Sequence, residues 1–355
     1  MIMMKKKNAM AGATLALMLA LTACGGAAGT QPEAAAESTG TAAAGSTETA
    51  AQTEAALYPL TMPNVAKAEG GTEWTAKDQT FDKAPERIMA NTRPTAELLL
   101  HLGLGDKIVG VGAGQGEGDP DVADEYAKLN ILDQGYVGKE VTLGVDPDIV
   151  LGRGGLFDNA DWGTGTVDSL NEMGVKTYVL ESSIAGGTYD SVYADIENLG
   201  KIFDVQENAQ TFIDDLKKRE EAVTSKLSTI TENKTYVYLH MFDASEVSLL
   251  TLQGETFFND VMNKIKLDNP LKDRAGDGSI EMLIETDPDI IIIPDGEQTE
   301  KVKEALYANP KLSSMQAIKN QQVYAMNYNY MFGYGYDSLK GIEKLSKELY
   351  PDLFK

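Results

Sequence analysis

Arginine is the residue type in this chain best suited to seizing a ligand. Arg93, Arg153 and Arg274 each fall in a loop predicted to leave the carboxyl end of a strand. The chain carries 31 Lys+Arg against 54 Asp+Glu, a formal net charge of −23, so three arginines converging on one cleft would reverse the local sign. A guanidinium is planar and pairs bidentately with carboxylates and other oxyanions, which suits an anionic small molecule. The plainer reading is that each arginine pairs with a nearby acid, Arg274 with Asp273 or Asp277 for example. Aromatic side chains stand in the same predicted loops. Phe157, Trp162, Phe242 and the tyrosines of the stretch NYNYMFGYGYDSL, residues 327–339, would give flat amphipathic contacts. Within that stretch Gly, Asn and Tyr alternate without a regular apolar face, which predicts a loop. Tyr328 and Tyr330 are expected to meet the ligand, and Tyr334 and Tyr336, nearer the closing helix, to pack.

Histidine and cysteine offer less. There are two histidines and one cysteine, so no internal disulfide can form. His101 sits in an apolar helical stretch and reads as packed. His240 ends a strand at the predicted cleft, where it could hydrogen-bond a ligand or coordinate haem iron; a structural histidine is the plainer reading. Zinc sites draw on several His, Cys or carboxylate ligands, and no such set is in view. The glycine run from 110 to 118 fits no G-x-G-x-x-G register. Neither a phosphate-binding G-x-x-x-x-G-K-[ST] nor H-E-x-x-H nor G-x-S-x-G occurs. The sequence therefore speaks against an enzyme, against a resident cofactor and, by its acidity, against nucleic-acid binding.

Strands alternating with helices must hold these loops. A hairpin is predicted around Gly70–Gly71. Strands follow at RIMAN, KIVGVG, Ile149, KTYVL, KTYVYLH, TDPDIIIIPDG and QQVYAMN, with helices between them, which argues for parallel sheets and an α/β fold. VDPDIVLGRGG and TDPDIIIIPDG match each other and suggest two related lobes. Residues 58–188 form the expected N-terminal lobe and 232–355 the C-terminal lobe. The stretch 189–231 reads as a helical connection, one helix at SVYADIENLGKIF and a longer, charged one at ENAQTFIDDLKKREEAVTSKLS that would act as a rigid strut. Ligands of open α/β sheets lie outside the carboxyl ends of the strands, so the site is expected between the two lobes.

The first 57 residues read differently. Lys5 to Lys7 precede an apolar stretch too short for a membrane span and ending at LTAC, so residues 1–23 read as an export signal. Its end resembles the bacterial lipobox, in which Cys24 would carry the lipid. Residues 24–57 are almost free of large apolar side chains and read as a disordered tether. These features predict a lipid-anchored protein on the outer face of a membrane, in the style of a Gram-positive cell surface.

APERIMANTRPTAELLLHLGLGDKIVGVG, followed by VDPDIVLG, GETFFNDVMN and LYPDLF, is similar to the substrate-binding lipoproteins of ABC transporters for ferric siderophores, haem and cobalamin (periplasmic binding protein class III). The resemblance covers the chain from Tyr58 to Lys355. It implies two Rossmann-like α/β lobes joined by one long α-helix, with the ligand between them and an ABC permease as partner. It also implies one acidic docking residue per lobe, which falls on Glu97 and, in place of the usual Glu, on Asp260. The ligand expected is an iron complex, a ferric siderophore, with haem or a corrinoid as the alternative. A surface receptor or sensor without transport is the reading outside the class.

Overall fold

Two apolar runs explain the parallel sheets. Every residue of Ile149–Gly152 and of Ile290–Pro294 is buried. Ile290 and Ile292 belong to one core, Ile291 and Ile293 to another, so both faces of the sheet are covered. The computed structural model describes residues 57–275 and 278–355. The predicted signal segment, Cys24 and nearly all of the tether lie outside the described residues.

Four short strands open the fold: β1 (Leu60–Met62), β2 (Val65–Lys67), β3 (Trp74–Ala76) and β4 (Gln79–Phe81). β2 pairs with β3 and β1 with β4, both antiparallel, so the hairpin is a nested pair of ladders. Then come β5 (Ile88–Ala90), α1 (Arg93–His101), β6 (Ile108–Val111), α2 (Ala123–Tyr126), α3 (Lys139–Gly144), β7 (Ile149–Gly152), α4 (Val167–Glu172) and β8 (Lys176–Val179). Their sheet is parallel throughout, in the order β6-β5-β7-β8.

The connection between the lobes is helical. It is two helices, α5 (Tyr189–Phe203) and α6 (Gln206–Thr224), packed on one another. Asp204 between them is left-handed, with φ 57°, which breaks the helical run; aspartate tolerates that conformation. The second lobe contains β9 (Lys234–Leu239), β10 (Leu249–Leu250), α7 (Thr256–Lys264), β11 (Leu267–Asp268), α8 (Ile280–Thr286), β12 (Ile290–Pro294), α9 (Thr299–Ala308), α10 (Gln316–Lys319), β13 (Val323–Met326), α11 (Tyr328–Phe332) and α12 (Ser338–Leu349). β9, β12 and β13 are parallel, β10 is an antiparallel edge, and β11 pairs with the start of β9.

The matching Asp-Pro-Asp segments do the same work in each lobe. Asp146 and Asp287 both take left-handed backbone, with φ 50° and 41°. Two residues on, Asp148 accepts the backbone N–H groups of Glu86 and Arg87, and Asp289 accepts that of Thr235. Each aspartate thus fixes its strand to the entry of the neighbouring one.

The lobes share a core that runs from Phe81 through α5 and α6 to Leu349. A polar strap joins them as well. The glycine-rich loop after β6 reaches across to α11 and α12. Asn329 Nδ2 donates to the carbonyls of Gln115 and Glu117, and Asn327 Nδ2 donates to that of Glu117, each at 3.2 Å. Gly116 has φ +89° and lies so close to Asn329 that a Cβ would stand 2.5 Å from its Nδ2, so the strap requires glycine there. Asp119, 1% exposed, accepts hydrogen bonds from Tyr336 at 2.7 Å and Lys340, and its Oδ2 lies 2.9 Å from His101 Nε2. Lys340 also reaches Asp121 at 2.8 Å.

Candidate functional site

The loop after β7 is built differently. Gly152 ends the strand with φ +137°, and a Cβ on it would collide with Asn91 Oδ1. That approach lets the Asn91 amide clasp the backbone of Arg153 from both sides, accepting its N–H at 2.9 Å and donating to its carbonyl at 3.0 Å. Ser183, from the turn after β8, accepts the next N–H, that of Gly154, at 2.8 Å. The clasp aims the Arg153 guanidinium across to the other lobe. It lies 4.9 Å from the centre of the Tyr334 ring, and the Tyr328 hydroxyl stands beside it and beside Tyr136. Tyr334 donates to Glu255 Oε2 at 3.2 Å. Burial raises the pKa of Glu255, opposed by that hydrogen bond and by the Arg153 charge.

These groups surround a cavity of about 360 Å³ between the lobes, walled by Arg153 and Trp74 on one side and by Glu255, Phe257 and Tyr334 on the other. Other hollows are larger, about 450 Å³ beside α1, α6 and α12, about 530 Å³ within the second lobe and about 400 Å³ beside β2 and β8 of the first. The cavity that both Arg153 and Glu255 line, with walls from both lobes, is the candidate. An aromatic cluster continues from it. His240 packs on Phe242 at 4.9 Å between ring centres and near Tyr328 and Phe332. Its Nδ1 is buried without a partner, and burial lowers its pKa. Tyr136 and Phe242 are 40% and 51% exposed at this end, which leaves apolar surface available to a guest.

Several expected site residues lie elsewhere. Arg93 is committed to Glu97 at 2.8 Å and to the carbonyl of Gly116 at 2.9 Å, with Tyr126 stacked at 4.3 Å, and therefore belongs to the strap. Arg274 pairs with Glu285 on the surface, the acid-pairing alternative with a different acid. Phe157 is fully buried in the first lobe's outer core. Trp162 is 46% exposed and does not line the cavity; it stands in a loop whose Asp161 carbonyl abuts Gly138.

The stretch 327–336 is not a plain loop. Asn327 caps a helical turn by accepting the Asn329 N–H, and Tyr328–Phe332 form α11. Residues two apart on a helix point about 200° apart. Tyr328 accordingly faces Arg153, while Tyr330 turns toward the strap, where burial and then the acids Asp337 and Asp119 push up its pKa. Tyr334, expected only to pack, lines the cavity. Tyr336 is buried on Asp119.

The two acids expected to dock a partner are also engaged internally. Glu97 is fully buried, its Oε1 accepting from Arg93 and from the Asp119 N–H. Asp260 is half-buried and accepts the Tyr189 N–H at 2.9 Å, at the start of α5. Among the described residues, no three His, Cys, Asp or Glu side chains are grouped to hold a metal ion.

Residues 88–330 match the family described as periplasmic binding protein. A relative in Bacillus subtilis (strain 168), the uncharacterized ABC transporter substrate-binding lipoprotein YvrC, is 23% identical over 303 residues, 84% of this chain and 88% of the relative. A periplasmic binding protein from Veillonella parvula superposes with a TM-score of 0.72 at 23% identity, covering 82% of this chain and 99% of that one. The structure of an ABC-type Fe3+-hydroxamate transport system from Saccharomonospora viridis does so with 0.64 at 23%, again covering 82% and 99%. With more than half its length matched and two α/β lobes about a cavity, the chain belongs to the periplasmic binding protein family, a family of binding proteins and not of enzymes.

Proposed function

We propose that the protein captures a small-molecule iron complex, a ferric siderophore, for an ABC importer. One observation carries this: Arg153 is clasped by Asn91 at a strand's carboxyl end and aimed between Tyr328 and Tyr334 of the other lobe. The names of the Bacillus and Saccharomonospora relatives support the importer class and an iron chelate. Native mass spectrometry against ferric siderophores, haem and cobalamin tests it; no complex with any of them would sink it.

A second reading rests on His240, whose unpartnered Nδ1 sits in an aromatic nest beside the cavity. Haem would then be the ligand, with a Soret band that disappears in His240→Ala. A corrinoid is a further member of the same cargo class, and the cobalamin arm of the panel reads it. A receptor without transport would bind its ligand yet leave uptake unchanged on deletion.

Docking on a permease needs acids that face outward. Helices of an α/β lobe return antiparallel to its strands, so their N-termini stand on the cleft side of each lobe. Glu140 in the first turn of α3 and Glu281 in the first turn of α8 are exposed there, each just before an Asp-Pro-Asp segment, and among the described residues neither makes an ion pair. We assign the docking contacts to this pair in place of Glu97 and Asp260. Glu140→Ala with Glu281→Ala should abolish uptake while leaving ligand affinity intact; full uptake would reject the assignment. No described helix is long and apolar enough to cross a membrane. The anchor proposed is a lipid on Cys24, so Cys24→Ser should release the protein into the medium.

A further inference from the structure

The charges around the cavity say what kind of chelate it accepts, given the iron-complex reading above. Three charged side chains line it: Lys67, Arg153 and Glu255. Lys67 is paired with Asp158 at 3.2 Å, both largely buried. Arg153 faces Glu255 across the Tyr334 ring, which touches both. The lining thus carries two cations and one acid, with the Asp158 partner of Lys67 behind it, so the net charge that a ligand meets is small. Arg93 and Arg274 would have made it strongly positive, but both are engaged away from it. Beyond the cavity the chain is acidic, with net charge −23, and its field repels polyanions.

We propose that the cavity takes a chelate of low net charge, between zero and one negative. Such a ligand offers one acceptor group to Arg153 and an apolar or flat face to aromatic walls. A ferric tris-catecholate with charge −3 would bring charge that the lining does not offset, and removing it from water would cost more than one guanidinium returns. The wall opposite Tyr334 is the β2–β3 hairpin, which contributes Lys67 and Trp74. That hairpin precedes residue 88, outside the stretch that matches the family, so this chain's selectivity rests partly on a segment the family match does not include.

The chain has two tryptophans, and in Trp162→Phe the remaining one is Trp74 on the cavity wall. Quenching of its emission reports ligand in the cavity. The probes are a neutral ferric trihydroxamate, dicyanocobinamide as a low-charge corrinoid, and a ferric tris-catecholate with charge −3. One of the first two should bind at least about 30-fold more tightly than the tris-catecholate, a difference that electrostatic complementarity of this order can supply. Which of the two it is separates a hydroxamate from a corrinoid cargo. Equal or tighter binding of the tris-catecholate would overturn the proposal and leave the iron-complex reading standing. No quenching, and no complex by native mass spectrometry with any probe, would overturn both. Glu255→Gln should narrow the preference by about tenfold, by leaving the Arg153 charge unopposed; an unchanged ratio would count against charge balance as its cause.

Discussion

Two loops leave the carboxyl edge of the first sheet on either side of β5, and they meet the second lobe in opposite ways. The loop after β6 is fastened. Its carbonyls receive Asn327 and Asn329, its Asp119 takes Tyr336 and Lys340, and Arg93 and Glu97 close the arrangement beneath it. The loop after β7 is open. Arg153 is fixed at its backbone, yet its guanidinium meets only aromatic rings, hydroxyl groups and the indirect charge of Glu255. Position in the fold therefore does not decide between structure and binding. What decides is whether a charged group finds its complement inside the chain. Where it does, the lobes are joined; where it does not, a ligand has something to answer.

The sharpest way to break that contrast is Lys340→Met. It leaves Asp119 buried without its ammonium partner and should cost about 3–5 kcal/mol of stability, read from urea unfolding. A loss under about 1 kcal/mol would mean that the strap does not join the lobes. Arg153→Ala is the counterpart on the open side. It should weaken ligand binding about ten- to hundredfold, or about 1.5–3 kcal/mol, with little change in melting temperature. If instead it unfolds the protein while binding survives, the two loops have been assigned the wrong way round.

The pH dependence should also separate the two regions. In the strap, burial raises the carboxyl pKa of Glu97 and, with the neighbouring charges of Glu97 and Asp119, that of Asp337. The folded state then holds protons that the unfolded chain has released, so these groups make stability fall as pH rises above the ordinary carboxylate range. Asp119 has the opposite sign. Burial would raise it, but hydrogen bonds from His101, Lys340 and Tyr336 hold it well below that range, so its contribution is lost only in strong acid. Melting temperature should therefore rise from pH 7.5 to 5.5, and Asp337→Asn should flatten that slope; the wild-type slope unchanged in the variant would remove Asp337 from the account. The smallest effect concerns the tyrosines. Tyr334→Phe, which loses the hydroxyl on Glu255, should weaken binding a few-fold, about 0.5–1.5 kcal/mol, while Tyr330→Phe should leave it unaltered.

The sheets were legible in the sequence because strands buried on both faces read as unbroken apolar runs, as in Ile290–Ile293. The helices α3 and α8 gave no such signal, at six and seven residues fewer than two full turns each. Arg93 and Glu97 stand four apart, so their ion pair could have been inferred from helix geometry alone. The sorting of the tyrosines could not. A loop has no fixed side, and only the turn capped by Asn327 sends Tyr328 and Tyr330 in opposite directions. Phe157 follows the same glycine-rich segment as Arg153, and nothing in its type or spacing told that it packs inward.

Asp119 and Lys340 are 221 residues apart, and Gln115 and Asn329 214. A chain made from its N-terminus therefore completes the first sheet long before its strap has anything to fasten to. Until α12 arrives, Asp119 lacks its ammonium, and the glycine-rich loop presents free carbonyls and acids. Such long-range closure is slow and exposes the incomplete chain to aggregation and proteolysis in the interval. Loss of the chain from Asp337 onward would thus injure the first lobe as well as the second. For this molecule, the arrival of α11 and α12 is the moment at which the first lobe becomes stable.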